Sequence, residues 1–282
     1  MVKKTLSFIG AVVVRKQKIL LCTLLGLLMM VVACDKQEEP ESKPVHVKNE
    51  KNEKNEKKQE KHKEKEKDKE ETGISLMDKQ LLLSATLGDT ETTMKLIKDG
   101  ANINVEGDNG ETPILAAVYQ NHIETVKALI DAGADIEIQD EKQSNPFLYA
   151  SREGYTDIVK LLINAGANTK ETTRSGGTAL ISASERGHVE VVKELLEHTD
   201  IDVNYKNNRG GTALLETIVL GNGSDSHKRV IQMLIEHGAD VNMANNEGNT
   251  PLQHAEKRGF KDIANMLRVA GANEVMQQQP IG

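Results

Sequence analysis

The chain has 282 residues, of which 38% are apolar and 2% aromatic, with no tryptophan and a formal net charge of −7. That length holds one large domain or two small ones, and the acidic balance argues against a nucleic-acid partner, since neutralising phosphates takes clustered Lys and Arg. Its only cysteines are Cys22 and Cys34, so residues beyond 34 form no disulfide and offer no thiolate for zinc binding or nucleophilic attack.

Charge is unevenly spread. Residues 1–34 carry Lys3, Lys4, Arg15, Lys16 and Lys18 and no acid, and residues 35–71 carry twelve Lys against thirteen Asp or Glu. Subtracting +5 and −1 from −7 leaves −11 for the rest. Between Ile19 and Cys34 stand sixteen residues without charge, about 24 Å as a helix and short of the ~20 residues a membrane span requires. This length, behind a basic flank, fits the apolar region of a secretory signal. Val31-Val32-Ala33-Cys34 resembles the lipobox of bacterial lipoproteins. The resemblance implies that residues 1–33 are a signal peptide cut off after Ala33 and that the Cys34 thiol carries diacylglyceryl. The mature protein would then be held at the cell membrane, facing outside the cytoplasm. Each buried CH₂ contributes ~0.8 kcal/mol, so two or three chains anchor firmly. Asp35 next to the cysteine resembles an inner-membrane retention signal of double-membraned bacteria. An uncleaved anchor helix with an incidental cysteine is the alternative.

Residues 34–72 follow as a linker. It reads "KNEKNEKNE" at 48–56 and then alternates in charge. With no apolar face to bury and like charges four apart at Lys61, Lys65 and Lys69, disorder and the role of a tether are expected.

From about residue 73 the chain repeats itself. "KLIKDGANIN" (95–104) returns as "ALIDAGADIE" (128–137), "LLINAGANTK" (161–170), "MLIEHGADVN" (233–242) and "MLRVAGANEV" (266–275), with Gly100, Gly133 and Gly166 spaced by 33. A second phase locks to the first: "TPILAAV" (112–118), "NPFLYAS" (145–151), "TALISAS" (178–184), "TALLETI" (212–218) and "TPLQHAE" (250–256). Period and wording resemble the ankyrin repeat. The resemblance covers about 200 residues and implies an all-α repeat solenoid of about six ankyrin repeats, over 73–282. The repeat units are about 74–107, 108–140, 141–173, 174–207, 208–245 and 246–275.

The physical reading agrees. Thr or Asn ahead of Pro is a helix cap followed by proline where no donor is lost. The small Ala85, Ala117, Ala150 and Ala183 let paired helices approach. Gly88, Gly154, Gly187, Gly221 and Gly259, with Asn121 in the second copy, are expected to end first helices in a left-handed residue. Ile158, Val159, Leu161 and Leu162 are expected to be buried at helical spacing. The first copy lacks the TPL motif and presents Ser75, Asp78, Lys79 and Gln80, as a solvated cap would. "EHTDIDVN" carries one extra residue, and five more are inserted between Gly221 and Val230, either a tolerated surface loop or a partner contact. Gln143 stands where other hairpins have glycine, so an irregular tip is expected there.

No catalytic motif is present: the sequence shows no phosphate loop, no HExxH and no Cys/His pair, and neither cofactor nor metal is expected. His122 and His188 begin second helices as ankyrin repeats often do. The resemblance implies protein binding through hairpin tips and the concave face. Position by position, the tips are Asp108, Asn109 and Glu111; Glu141, Lys142 and Ser144; Arg174 and Ser175; Asn208 and Arg209; and Asn246 and Glu247. The concave pairs are Tyr119/Gln120, Arg152/Glu153, Glu185/Arg186, Val219/Leu220 and Lys257/Arg258, with Val219 and Leu220 apolar where solvent is expected. The expectation is a monomeric, membrane-tethered scaffold for a protein partner. Its rivals are an inhibitor or immunity protein masking a secreted toxin or hydrolase, with an acidic concave face, and an enzyme.

Overall fold

The computed structural model describes residues 73–274. The expected signal peptide, Cys34 and the expected linker lie outside the described residues, as does position 275 of the sixth repeat. Among the described residues there are twelve helices and no strand. They fall into six pairs: α1 (Leu76–Leu87) with α2 (Thr90–Lys98), α3 (Pro113–Tyr119) with α4 (Ile123–Asp131), and α5 (Pro146–Glu153) with α6 (Thr156–Asn164). The series continues with α7 (Ala179–Arg186) and α8 (Val189–His198), α9 (Ala213–Val219) and α10 (Asp225–Glu236), and α11 (Pro251–Lys257) and α12 (Lys261–Val269). First helices pack on first helices of the adjoining repeats and second on second, the arrangement of a helical solenoid.

Local chemistry sets each boundary. Thr112, Asn145, Thr178, Thr212 and Thr250 accept a hydrogen bond from the amide three residues on, and Gln253 completes a capping box with Thr250. One such cap stabilises by about 1 kcal/mol. Ala117, Ala150 and Ala183 are fully buried between helices. In the first repeat this place belongs to Ser84 rather than Ala85, because Asp89 N bonds Ser84 O as His122 N bonds Ala117 O. Thr217 fills it in the fifth, its hydroxyl donating to Ala213 O at 2.7 Å. Ile158, Val159 and Leu162 are fully buried, whereas Leu161 is only half-buried, since it faces along the outer surface of α6. The buried residues form one core cluster running from the first repeat to the sixth.

Three expectations need correction. Gly221 is not left-handed; Gly223 takes the positive φ of 71° instead. Gly221 is required for space, because a Cβ there would lie 2.2 Å from both Thr217 O and the His227 ring. The inserted residues lengthen the second helix of that repeat, so α10 has twelve residues where α4 and α6 have nine. The first repeat is not a wholly polar cap: Leu76, Leu83 and Leu87 are 60%, 58% and 67% exposed. Leu83 and Leu87 align with Tyr149 and Arg258, and both of those contact the repeat before their own, through the Tyr119 ring and Ile218 O. The sequence before the first repeat holds no such copy.

The third tip is regular despite Gln143. Gln143 adopts φ 58°, and its amide bonds Asp140 O at 2.9 Å while Asp140 N bonds Ser144 O at 3.0 Å, as in the other tips. The buried Asp140 carboxylate overrides the backbone preference by accepting from the amides of Lys142 and Ser144, both at 2.9 Å. A side chain held in the left-handed region costs roughly 1 kcal/mol. Gln143→Gly is therefore expected to stabilise the protein by about 0.5–1 kcal/mol, read as a higher urea midpoint at unchanged m-value; a lower midpoint would show that no strain is stored there.

Candidate functional site

The five tips are joined in part by their own backbone. Glu141 N donates to Asn109 O at 3.0 Å, Asn208 N to Ser175 O at 3.1 Å, and Asn246 N to Arg209 O at 3.1 Å. Side chains add to this: Arg174 donates to Glu141 O at 2.7 Å, Asn208 to Arg174 O at 3.3 Å and Asn246 to Asn208 O at 3.1 Å. Thus Arg174, Asn208 and Asn246, read from sequence as contact residues, also bind tip to tip. Asp108, Asn109, Glu141, Lys142, Arg174, Ser175, Asn208, Arg209, Asn246 and Glu247 are exposed, Glu111 is half-buried, and Ser144 is buried against Asp140. Glu111 accepts from Asn109 N at 3.1 Å.

Between the tips and the first helices lie two grooves. The larger, about 730 Å³, gathers Tyr119, Gln120, Lys142, Arg152 and Arg174 around Tyr149 and Leu148. Tyr119 and Tyr149 meet edge to face with centroids 4.4 Å apart, and the Arg152 guanidinium lies 4.8 Å over the Tyr149 ring. The Tyr119 hydroxyl donates to Asp140; burial first, then that hydrogen bond, push its pKa far up, so it stays a proton donor. The smaller groove, about 420 Å³, gathers Asn208, Arg209, Val219, Asn246 and Glu247 around Glu216 and His254. The concave side is therefore not uniformly acidic: cations line the larger groove, and mixed charge lines the smaller.

Glu216 is 2% exposed. It accepts from Asn207 Nδ2 at 2.6 Å and from the Arg209 guanidinium at 3.1 and 3.3 Å, so its oxygens keep hydrogen-bond partners on burial. Glu185 has no such partner. Its burial and the neighbouring Glu216 charge raise its pKa above the usual carboxylate value.

Of the predicted concave residues, Glu153, Glu185, Arg186, Leu220, Lys257 and Arg258 line neither groove. Arg152 pairs with Glu153 at 2.8 Å, and Arg186 lies 3.9 Å from the same Glu153. Arg258 donates to Ile218 O at 2.9 Å and to Val219 O, closing the C-terminal end of α9. Leu220 is 49% exposed and Val219 half-buried, and Lys257 is exposed. Tyr149, Glu216 and His254 were missed, although Ala116, Tyr149, Ser182, Glu216 and His254 form one aligned column. Its changes in size and charge beside mostly apolar neighbours are the signal that marks them.

Histidines stitch repeats together. His122 Nε2 lies 3.1 Å from Thr86 O, and His188 Nε2 lies 2.9 Å from Arg152 O. His227 Nε2 reaches Glu185 O at 3.1 Å. A carbonyl only accepts, so each Nε2 carries the proton. His227 was missed because the insertion moves it from the start of the second helix to the interior of α10.

Among the described residues no His/Cys/Asp/Glu cluster could hold a metal ion, and no helix is long and apolar enough to cross a membrane. A grooved inner face assembled from successive helix pairs defines a repeat scaffold whose working surface spans several units. Models of ankyrin repeats match residues 81–173, 147–223 and 223–268: the chain belongs to the ankyrin-repeat family, whose fold serves protein interaction. It is similar to the ankyrin repeat protein YahD of Escherichia coli (strain K12), 48% identical over 79 residues, covering 28% of this chain and 39% of that one. Protein L92 of Acanthamoeba polyphaga mimivirus is 34% identical over 79 residues, 28% of this chain and 18% of that one. The chain thus spans less than half the length of these curated relatives. Among solved structures, an ankyrin repeat domain from Acinetobacter baumannii AYE is 41% identical with a TM-score of 0.66, covering 69% of this chain and 98% of that one. The ankyrin repeat protein EF0377 is 35% identical with a TM-score of 0.65, covering 68% and 97%. The complex of the endopeptidase Bd0816 of Bdellovibrio bacteriovorus with immunity protein Bd3460 matches at 24% identity and a TM-score of 0.60, covering 67% and 96%, and bears on fold alone.

The Glu185 shift has a sign. A carboxyl with a raised folded pKa holds its proton to higher pH than in the unfolded chain, so stability falls as pH rises through the window above the ordinary value. Glu185→Gln is expected to raise the melting temperature at pH 7 and to lose that advantage near pH 4; equal effects at both pH values would contradict the assignment.

Proposed function

We propose that the protein is a membrane-tethered scaffold that holds a protein partner at the outer face of the bacterial cytoplasmic membrane. The observation carrying the binding part is the inner face itself, where a bonded row of tips borders two grooves lined by charged, polar and tyrosine side chains. Partially exposed Leu220 and half-buried Val219 extend it with apolar surface of the kind interfaces bury at their centre. The tether rests on the lipobox-like Val31–Cys34 and the charged linker.

Crosslinked pull-down from intact cells tests the binding part. Val219→Asp/Leu220→Asp is expected to reduce recovery of the crosslinked partner at least fivefold; unchanged recovery would remove this pair from the site. Cys34→Ser tests the anchor. It is expected to release the chain from the membrane fraction, and a variant that stays there would favour the uncleaved anchor helix.

A second reading is an inhibitor or immunity protein masking a secreted toxin or hydrolase; a chain of the endopeptidase–immunity protein complex shares the fold, which is compatible with that role. It requires that the purified chain suppress the activity of a hydrolase exported by the same cell.

A further inference from the structure

The larger groove differs from the rest of this acidic protein in that every charged side chain lining it is a cation. Lys142 comes from the third tip, Arg152 from α5 and Arg174 from the fourth tip. Arg152 has a carboxylate partner in Glu153 at 2.8 Å. Lys142 and Arg174 form no ion pair among the described residues. Exposed cations alone say little, because water solvates them well. Here three cations from separate elements converge on one concavity, where low-dielectric walls concentrate their field.

Two further features make the place specific. Arg174 is held by its bond to Glu141 O at 2.7 Å, which uses one of five guanidinium donors and leaves the others for a carboxylate. The edge-to-face pair Tyr119–Tyr149 is immobilised, with Tyr119 bonded to Asp140 and Tyr149 under Arg152. Rigid aromatic rings offer contact area at low entropic cost. Lys142 and Arg174 stand on adjacent repeats, and packed helices are about 8–10 Å apart. An extended chain rises about 3.3 Å per residue, so it crosses that interval in about three residues.

Building on the protein-binding reading above, we infer that this groove receives an extended acidic segment of the partner. Its carboxylates, two or three residues apart, meet Lys142 and Arg174, and the intervening chain lies over Tyr119 and Tyr149. A phosphate would satisfy the cations but has no use for two adjacent rings.

The probe is a fluorescein-labelled dodecapeptide alternating Glu and Ser, compared with its Lys/Ser counterpart and read by fluorescence anisotropy against the full chain in detergent. The acidic peptide is expected to bind and the basic one not, with affinity falling as salt rises. Lys142→Gln/Arg174→Gln is expected to weaken binding at least tenfold at unchanged circular dichroism and melting temperature. Lys127→Gln/Lys193→Gln, on the second helices, is expected to leave it unchanged. Equal binding of the two peptides, or full binding by the Lys142/Arg174 variant, would overturn the inference. So would binding to phosphatidylglycerol vesicles that this variant loses while the peptide fails to bind, since the groove would then take lipid. Crosslinking in cells separates the two levels. Equal partner recovery by wild type and the Lys142/Arg174 variant overturns the groove assignment and leaves the scaffold standing, whereas no recovery by wild type removes both.

Discussion

A seven-residue helix is not stable alone in water, and α3, α9 and α11 have seven residues each. They exist because each is clamped between its neighbours. Leu115, Leu148 and Leu215 are at most 2% exposed in a core that no single repeat closes, and full burial of such a side chain contributes about 1.5–3 kcal/mol. Packing between repeats therefore comes before secondary structure in the energetic order, and the small residues at Ala117, Ala150 and Ala183 are what allow the helices to approach.

Apolar packing has little directional character, so polar bonds set the register of one repeat on the next. The Asn104 side chain accepts from Asp135 N at 2.9 Å, Asn204 from Asp240 N at 2.8 Å, and Asn242 from Asn273 N at 2.8 Å. In the second repeat Glu137 does the same for Asn168 N at 2.8 Å. In the third copy of this column stands Lys170, which cannot accept, and the link passes to Thr169 and Asp200 at 2.8 Å. Each of the four bonds from an amide satisfies a backbone donor that would otherwise depend on water, and together with the histidine bonds they fix both edges of a repeat. The tips inherit their positions from these links, so the grooves are properties of the stack and not of any one loop.

The fold was legible because its signals are local and repeated: a cap, a small residue, a turn residue and an apolar stripe recur every 33 residues. What was not legible depended on contacts between copies. Gln143 in place of glycine suggested an irregular tip, yet the Asp140 carboxylate, 6% exposed, holds the usual geometry through two amides. His227 performs the task of His122 and His188 from a position that alignment by spacing does not reach. Glu216 reads as an ordinary helix-surface glutamate until the tip of its own repeat folds over it with Asn207 and Arg209. The tip residues read from sequence are exposed, apart from half-buried Glu111 and buried Ser144, but their work for neighbouring tips could not be read from one repeat at a time.

These contacts distribute charge along the inner face. Over α3 and α5 the tips contribute Lys142 and Arg174 above an aromatic floor; over α9 and α11 they contribute Arg209 and Glu247, with Glu216 buried beneath. Arg209 is drawn down to Glu216 and so is partly withdrawn from a ligand, while Lys142 remains free of any ion pair among the described residues. Glu185, on α7 between the two regions, holds its proton more tightly through its burial first and the neighbouring Glu216 second. The charge of the face thus changes along the direction of stacking, cationic in the larger groove and mixed in the smaller. An acidic chain laid across both grooves would meet only cations in the larger and Glu247 beside Arg209 in the smaller, and like-charge contacts in an interface cost several kcal/mol. The order of the repeats thus makes the two grooves chemically distinct, which is the property that a scaffold made of near-identical units would otherwise lack.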